Sequence, residues 1–131
     1  MAAWRAREGE TLLMPSGVHG DHLFIILNDS KKFSGYGPNP CVALVNLSTV
    51  RQGTRYDATC VLQAGCHSFV KGDSYVVYRS ARIESGMHLQ RLVQQGVFKP
   101  HEPMPAAIVT NIKAGLKASP FTTREFKQLP I

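Results

Sequence analysis

The run His22-Leu23-Phe24-Ile25-Ile26-Leu27 holds five consecutive apolar residues and begins directly after Gly20-Asp21. Five residues are too few for an ordinary helix and far fewer than the roughly 20 that cross a bilayer. A short apolar run bounded by turn-forming residues reads as a strand. Before it, Thr11-Leu12-Leu13-Met14 ends at Pro15-Ser16-Gly17, a second strand with its own stop. After it come 41–47 (Cys-Val-Ala-Leu-Val-Asn-Leu), 59–62 (Thr-Cys-Val-Leu) and 75–83 (Tyr-Val-Val-Tyr-Arg-Ser-Ala-Arg-Ile), with turn chemistry at Gly53, Gly65 and Gly72-Asp73. Short strands separated by loops, with no helical period between them, predict a small antiparallel barrel or sandwich.

The period changes after residue 84. Ser85 is placed to cap a helix through about Gln95, with Leu89, Leu92 and Val93 on one face and Gly96 as its stop. A second helix fits Pro105 to Lys117, where Ile108, Ile112 and Leu116 recur at four-residue spacing and Pro105 suits the first turn. Thr122-x-x-Glu125 has capping-box spacing and marks a short third helix. The prediction is one α+β domain over residues 1–131, with barrel strands to residue 84 and a helical part from 85. Lys99 to Pro103 reads as a linker, and the long loop Asp29 to Pro40 reads either as a functional excursion or as a solvated one.

The 131 residues are 44% apolar and 18% charged, enough to bury a core, which excludes a disordered polybasic tail. The net charge of +6 is uneven. Residues 31 to 82 hold seven Lys and Arg against two Asp, whereas the first 30 residues are net acidic. Phosphate-bearing partners are favoured in the middle of the chain. The N-terminus lacks the apolar stretch of a secretory signal, and three cysteines, Cys41, Cys60 and Cys66, cannot all pair. A cytoplasmic protein with free thiols, no disulfide framework and no membrane association is expected.

Phosphate-loop, dinucleotide, zinc-protease and nucleophile-elbow motifs are all missing. Short polar side chains instead gather at predicted strand ends. His22 and His67 are the acid/base candidates, because imidazole both gives and takes a proton near neutral pH. Ser48, Thr49 and Ser74 can hydrogen-bond phosphate oxygens, while Arg51 and Arg79 can offset charge developing at phosphorus. Lys31 and Lys32, in the long loop, add to the substrate-binding set. Each has a structural counterpart: a hydrogen-bonded core histidine, a turn cap, a solvated loop. Cys60, Cys66 and His67, with Cys41 or His22, invite a metal reading. Five residues separate Cys60 from Cys66, more than zinc pairs usually allow, so buried thiols and no metal or other cofactor are expected.

Three segments together resemble the PemK/MazF-like toxins. They are Gly20 to Asn28, Val42 to Thr49 (Val-Ala-Leu-Val-Asn-Leu-Ser-Thr) and Gly72 to Ile83, which begins Gly-Asp-Ser-Tyr-Val-Val. The resemblance spans residues 11 to 83 and implies an SH3-like barrel with terminal helices, a homodimer, metal-independent endoribonuclease activity on single-stranded RNA, and an antitoxin partner. It sets Ser48 or Thr49 at the family's active-site hydroxyl and Ser74 on the Asp-Ser element. His22 and Leu23 stand where the family has arginine and proline, and the segment Cys60 to Val70 has no counterpart.

The leading expectation is therefore a toxin-like ribonuclease in which one of His22 and His67 deprotonates a ribose 2′-hydroxyl and the other protonates the leaving oxygen. Arg79 and Ser48 hold the phosphate. The alternatives are a non-catalytic nucleic-acid- or protein-binding module of mobile-element or phage origin, and a purely structural role. Convergence of His22, Ser48, His67 and Arg79 on one open site is the geometric condition that separates them.

Overall fold

A computed structural model describes residues 3–15 and 20–131, so the predicted turn at Ser16-Gly17 lies outside the described residues. Among the described residues seven strands form one antiparallel sheet: β1 (Thr11–Pro15), β2 (Asp21–Ile26), β3 (Cys41–Thr49), β4 (Val61–Leu62), β5 (Ser74–Val76), β6 (Arg82–Ser85) and β7 (Lys99–His101). Six follow the order β4-β5-β3-β2-β1-β7, and β6 pairs with β3 off this path. The sheet is not closed, since β4 and β7 end it. Three helices, α1 (Gly86–Gln94), α2 (Ala106–Ala118) and α3 (Arg124–Lys127), are confined to the C-terminal part, which makes the fold α+β with strands first.

The apolar run of β2 is explained by burial on both faces. Successive strand side chains point to opposite sides. Leu23, Ile25 and Leu27 enter one core with Val45, Val76, Tyr78 and the α2 residues Val109, Ile112 and Leu116. Phe24 and Ile26 enter a second core with Leu12, Met14, Val42, Leu44 and the α1 residue Leu89, closed by Ala6, Trp4 and Phe98. Antiparallel sheets often leave one face wet and then alternate apolar with polar. With helices on both faces the alternation disappears from the sequence.

β3 carries the sheet's change of partner. Its first half, Cys41–Leu44, pairs with β6, and its last residues, Leu47–Thr49, pair with β5. Between β5 and β6 the chain makes a 3₁₀ turn at Tyr78–Ser80, so the stretch 75–83 is two strands rather than the single one its composition predicts. Buried Tyr78 donates from its hydroxyl to the Ile112 carbonyl (2.8 Å), joining this turn to α2. Gly115 makes room for it, because a Cβ there would overlap the hydroxyl and lie 2.7 Å from Cζ. Gly53 (φ 81°) and Gly65 (φ 89°) occupy the left-handed region at the predicted turns.

The helix starts follow local chemistry. Ser85 Oγ accepts from the His88 N–H (3.3 Å), the cap its position predicts. At α3 the cap is Thr123, whose hydroxyl accepts from Phe126 N–H, rather than Thr122, which is buried. The segment read as a linker contains β7, paired with β1 from Thr11↔His101 to Leu13↔Lys99. Pro100 is tolerated there because β7 is an edge strand. The loop from Asp29 to Pro40 is anchored: Phe33 is buried in the first core, Tyr36 donates to Glu125, and Lys31 Nζ donates to the Pro130 carbonyl (2.9 Å).

Candidate functional site

A groove of about 1040 Å³ opens at the end of the sheet where β3 runs out. Its walls come from Asp21 and His22 at the start of β2, Leu47 to Thr49 at the end of β3, Ser74 and Tyr75 of β5, the loops carrying Arg51, Thr54 and Tyr56, the Ser68–Gly72 loop, and His101 at the end of β7. Six of the nine residues expected to form a site thus divide cleanly. His22, Ser48, Thr49, Arg51 and Ser74 share this groove, whereas His67 is buried behind its wall.

His67 is 3% exposed and both ring nitrogens are committed. Nε2 lies 2.7 Å from the Glu102 carbonyl, which can only accept, and Nδ1 accepts from the Phe69 N–H at 3.0 Å. These partners fix the neutral Nε2–H tautomer and leave no nitrogen for substrate. His67, expected to act beside His22, does not line the groove; it ties the loop wall to the residue that follows the strand carrying His101. The two rings lie 5.0 Å apart, centroid to centroid, and only His101 lines the groove.

Arg79 is also displaced from its expected place. The 3₁₀ turn takes it off the strand, and it lines a neighbouring depression of about 710 Å³ with Arg55, Asp57 and Phe121. Lys31 and Lys32 are exposed in the long loop and line neither cavity.

The groove histidines differ in their supports. Asn46, one residue into the less covered half of β3, places its carboxamide nitrogen 3.5 Å from His22 Nδ1. A carboxamide turned end for end presents an oxygen instead, so Asn46 is compatible with either His22 tautomer. His101 Nδ1 accepts from the Glu102 N–H (3.0 Å), so its neutral ring carries the proton on Nε2. The Glu102 carboxyl is held below the ordinary carboxylate range, chiefly by its hydrogen bond from Ser68. Ser74 donates its hydroxyl to the Gly72 carbonyl (2.9 Å), which shapes the turn.

No protein-family model, curated protein or solved structure matches the chain. The chemistry must therefore be argued from the groove itself. Its floor combines imidazoles, hydroxyls and the cations Arg51 and Lys71 with aromatic faces. Tyr56 and Tyr75 pack at 5.3 Å with their planes tilted by 34°, and Tyr56 and Phe69 are both partly exposed. Cations beside accessible aromatic faces suit a flexible chain of phosphates and bases.

His67, His101 and Glu102 bring ligand-type atoms within 4.8 Å of one another. They do not fit a cation well. A metal at His67 would displace either the Phe69 N–H or the Glu102 carbonyl, and each is a made hydrogen bond at a buried ring. The cysteines do not join this cluster. Burial pushes the thiols of Cys41, Cys60 and Cys66 above their ordinary value, against the thiolate that zinc requires. His101 and Glu102 escape sequence reading because Lys99-Pro100-His101 has no apolar pattern, and the only signal for it is the hydrogen bonding of β1.

Proposed function

We propose that the groove binds single-stranded RNA and cleaves it without a metal, the toxin-like endoribonuclease chemistry to which the sequence resemblance points. One observation carries the reading: His22 from the inner strand β2 and His101 from the edge strand β7, with β1 between them, line one groove that also holds Arg51, Lys71, Ser48 and Thr49. In this mechanism His22 takes the proton from a ribose 2′-hydroxyl. The 2′-oxygen forms a bond to the adjacent phosphorus as the bond to the 5′-oxygen breaks, giving a 2′,3′-cyclic phosphate and a 5′-hydroxyl end. His101 takes a second proton at Nδ1, giving up the bond from the Glu102 N–H, and in that form delivers its Nε2 proton to the leaving oxygen. Arg51 and Lys71 balance the phosphate charge, and Ser48 and Thr49 donate hydroxyl hydrogens to its oxygens.

No helix among the described residues is long and apolar enough to cross a membrane. A toxin-like role brings with it an antitoxin that covers the groove and a homodimeric state, which sedimentation of the purified protein measures. The activity is tested by incubating defined single-stranded RNA with the protein in EDTA. Cyclic-phosphate products from the parent, lost in His22→Ala, support the reading. Intact RNA with a salt-dependent gel shift favours a binding module on the same groove instead.

A further inference from the structure

The groove does not end at its own rim. Thr54, Tyr56 and Tyr75 line both it and the 710 Å³ depression that contains Arg79, so the two cavities share the stacked tyrosine pair as a ridge. Beyond the ridge, Phe121 is 54% exposed and lines the depression together with Tyr56 and Tyr75. Arg55 and Arg79 are exposed beside it.

The wall that presents Phe121 is set in place beforehand. Asp57 Oδ2 accepts from the Ser119 hydroxyl, Ser119 Oγ accepts from the Phe121 N–H (3.1 Å), and Asp57 Oδ1 accepts from the Thr59 N–H (3.0 Å) and hydroxyl. Burial pushes the Asp57 carboxyl up, but the hydrogen bonds from Ser119 and Thr59 outweigh it and hold it below its ordinary value. Its charge is thus spent on the wall, and two guanidiniums remain at the mouth. The combination of an apolar face, a rigid backing and two cations is what a nucleotide needs: a surface for the base and a counter-charge for the phosphate.

We propose that this depression is a second nucleotide subsite, which takes the base beyond the two held in the main groove against Phe121 and Tyr56 and its phosphate against Arg79 and Arg55. The assignment rests on the RNA reading of the main groove. The strand would pass over the Tyr56–Tyr75 ridge, and the protein would prefer substrates long enough to fill both cavities.

The test is the anisotropy of fluorescein-labelled 2′-deoxy oligouridylates, a dinucleotide and an octanucleotide, with the parent and with Phe121→Ala, Arg79→Ala and Arg51→Ala. Both substituted positions beyond the ridge are exposed, and thermal melts confirm that the variants fold. Phe121→Ala and Arg79→Ala are expected to weaken octanucleotide binding by about tenfold each and leave the dinucleotide unchanged. For Arg79→Ala the salt slope should also fall by about one. If Arg51→Ala weakens the octanucleotide while both variants beyond the ridge match the parent, the second subsite is wrong and the main groove stands. If the parent binds neither oligonucleotide, the RNA reading and the subsite fall together.

Discussion

The two halves of β3 are built from one continuous strand and do different work. Cys41 to Val45 are buried in succession, sandwiched between the α2 core and the α1 core. From Asn46 to Thr49 burial alternates, with Leu47 still buried and Asn46, Ser48 and Thr49 partly or fully open, and these three supply the His22 partner and the groove hydroxyls. The difference lies in what covers the strand. Where both helices reach it, side chains contribute by leaving water; where the cover runs out, the same backbone holds polar groups at fixed positions beside loops. Buried core and open groove wall are separated by a few residues along a single strand.

That separation is open to attack by substitution. The largest effect belongs to the groove half: His22→Ala should lower the RNA cleavage rate by about a hundred- to ten-thousand-fold while leaving the urea midpoint unmoved. A rate equal to the parent's would remove His22 from the mechanism. In the covered half, Leu44→Ala, at a fully buried position, should cost about 2–5 kcal/mol in urea denaturation, with cleavage per folded molecule unchanged. His67→Ala discriminates most sharply, because this residue lies at the border. It should destabilise by about 1–3 kcal/mol, leaving the Phe69 N–H and Glu102 carbonyl without their partner, and spare the chemistry. Catalytic loss as deep as that of His101→Ala, with stability retained, would return His67 to the acid/base pair.

The smallest effect is expected at the depression. Ser119→Ala removes a hydrogen bond that lowers Asp57 and should cost about 1 kcal/mol at neutral pH. The sign follows from the depressed carboxyl. Its stabilisation is present above the ordinary Asp value of 3.8 and is lost as pH falls through the lower folded value, so parent and variant midpoints should converge in acid. Midpoints that stay apart at low pH would mean that the Ser119 contact acts independently of the Asp57 charge.

Much of this arrangement is legible in the residues. The run from Leu23 to Leu27, the Ser85 cap and the four-residue spacing of Ile108, Ile112 and Leu116 each depend on neighbours close in sequence, and each foretells its element. β7 does not show itself, because an edge strand of Lys99, Pro100 and His101 gains its identity only by pairing with β1. The exchange of His67 for His101 has the same origin. Both are histidines near turns, and what separates them is the Glu102 carbonyl, 35 residues from His67, which occupies one and not the other. Arg79 moves out of the groove because Tyr78, drawn to the Ile112 carbonyl, breaks the strand in front of it. Side-chain roles fixed by such distant partners leave no local trace.

The aromatic residues also fall on either side of the division within β3. Trp4, the chain's single tryptophan, packs against the α1-side core, whereas Tyr56 and Tyr75 stand on the ridge between the two cavities. The protein thus carries two native optical reporters with separate addresses. Indole emission follows the integrity of the covered half of the sheet, and since two of the four tyrosines stand on the ridge, the part of the tyrosine emission that a bound oligonucleotide quenches reports occupancy from the same unlabelled sample.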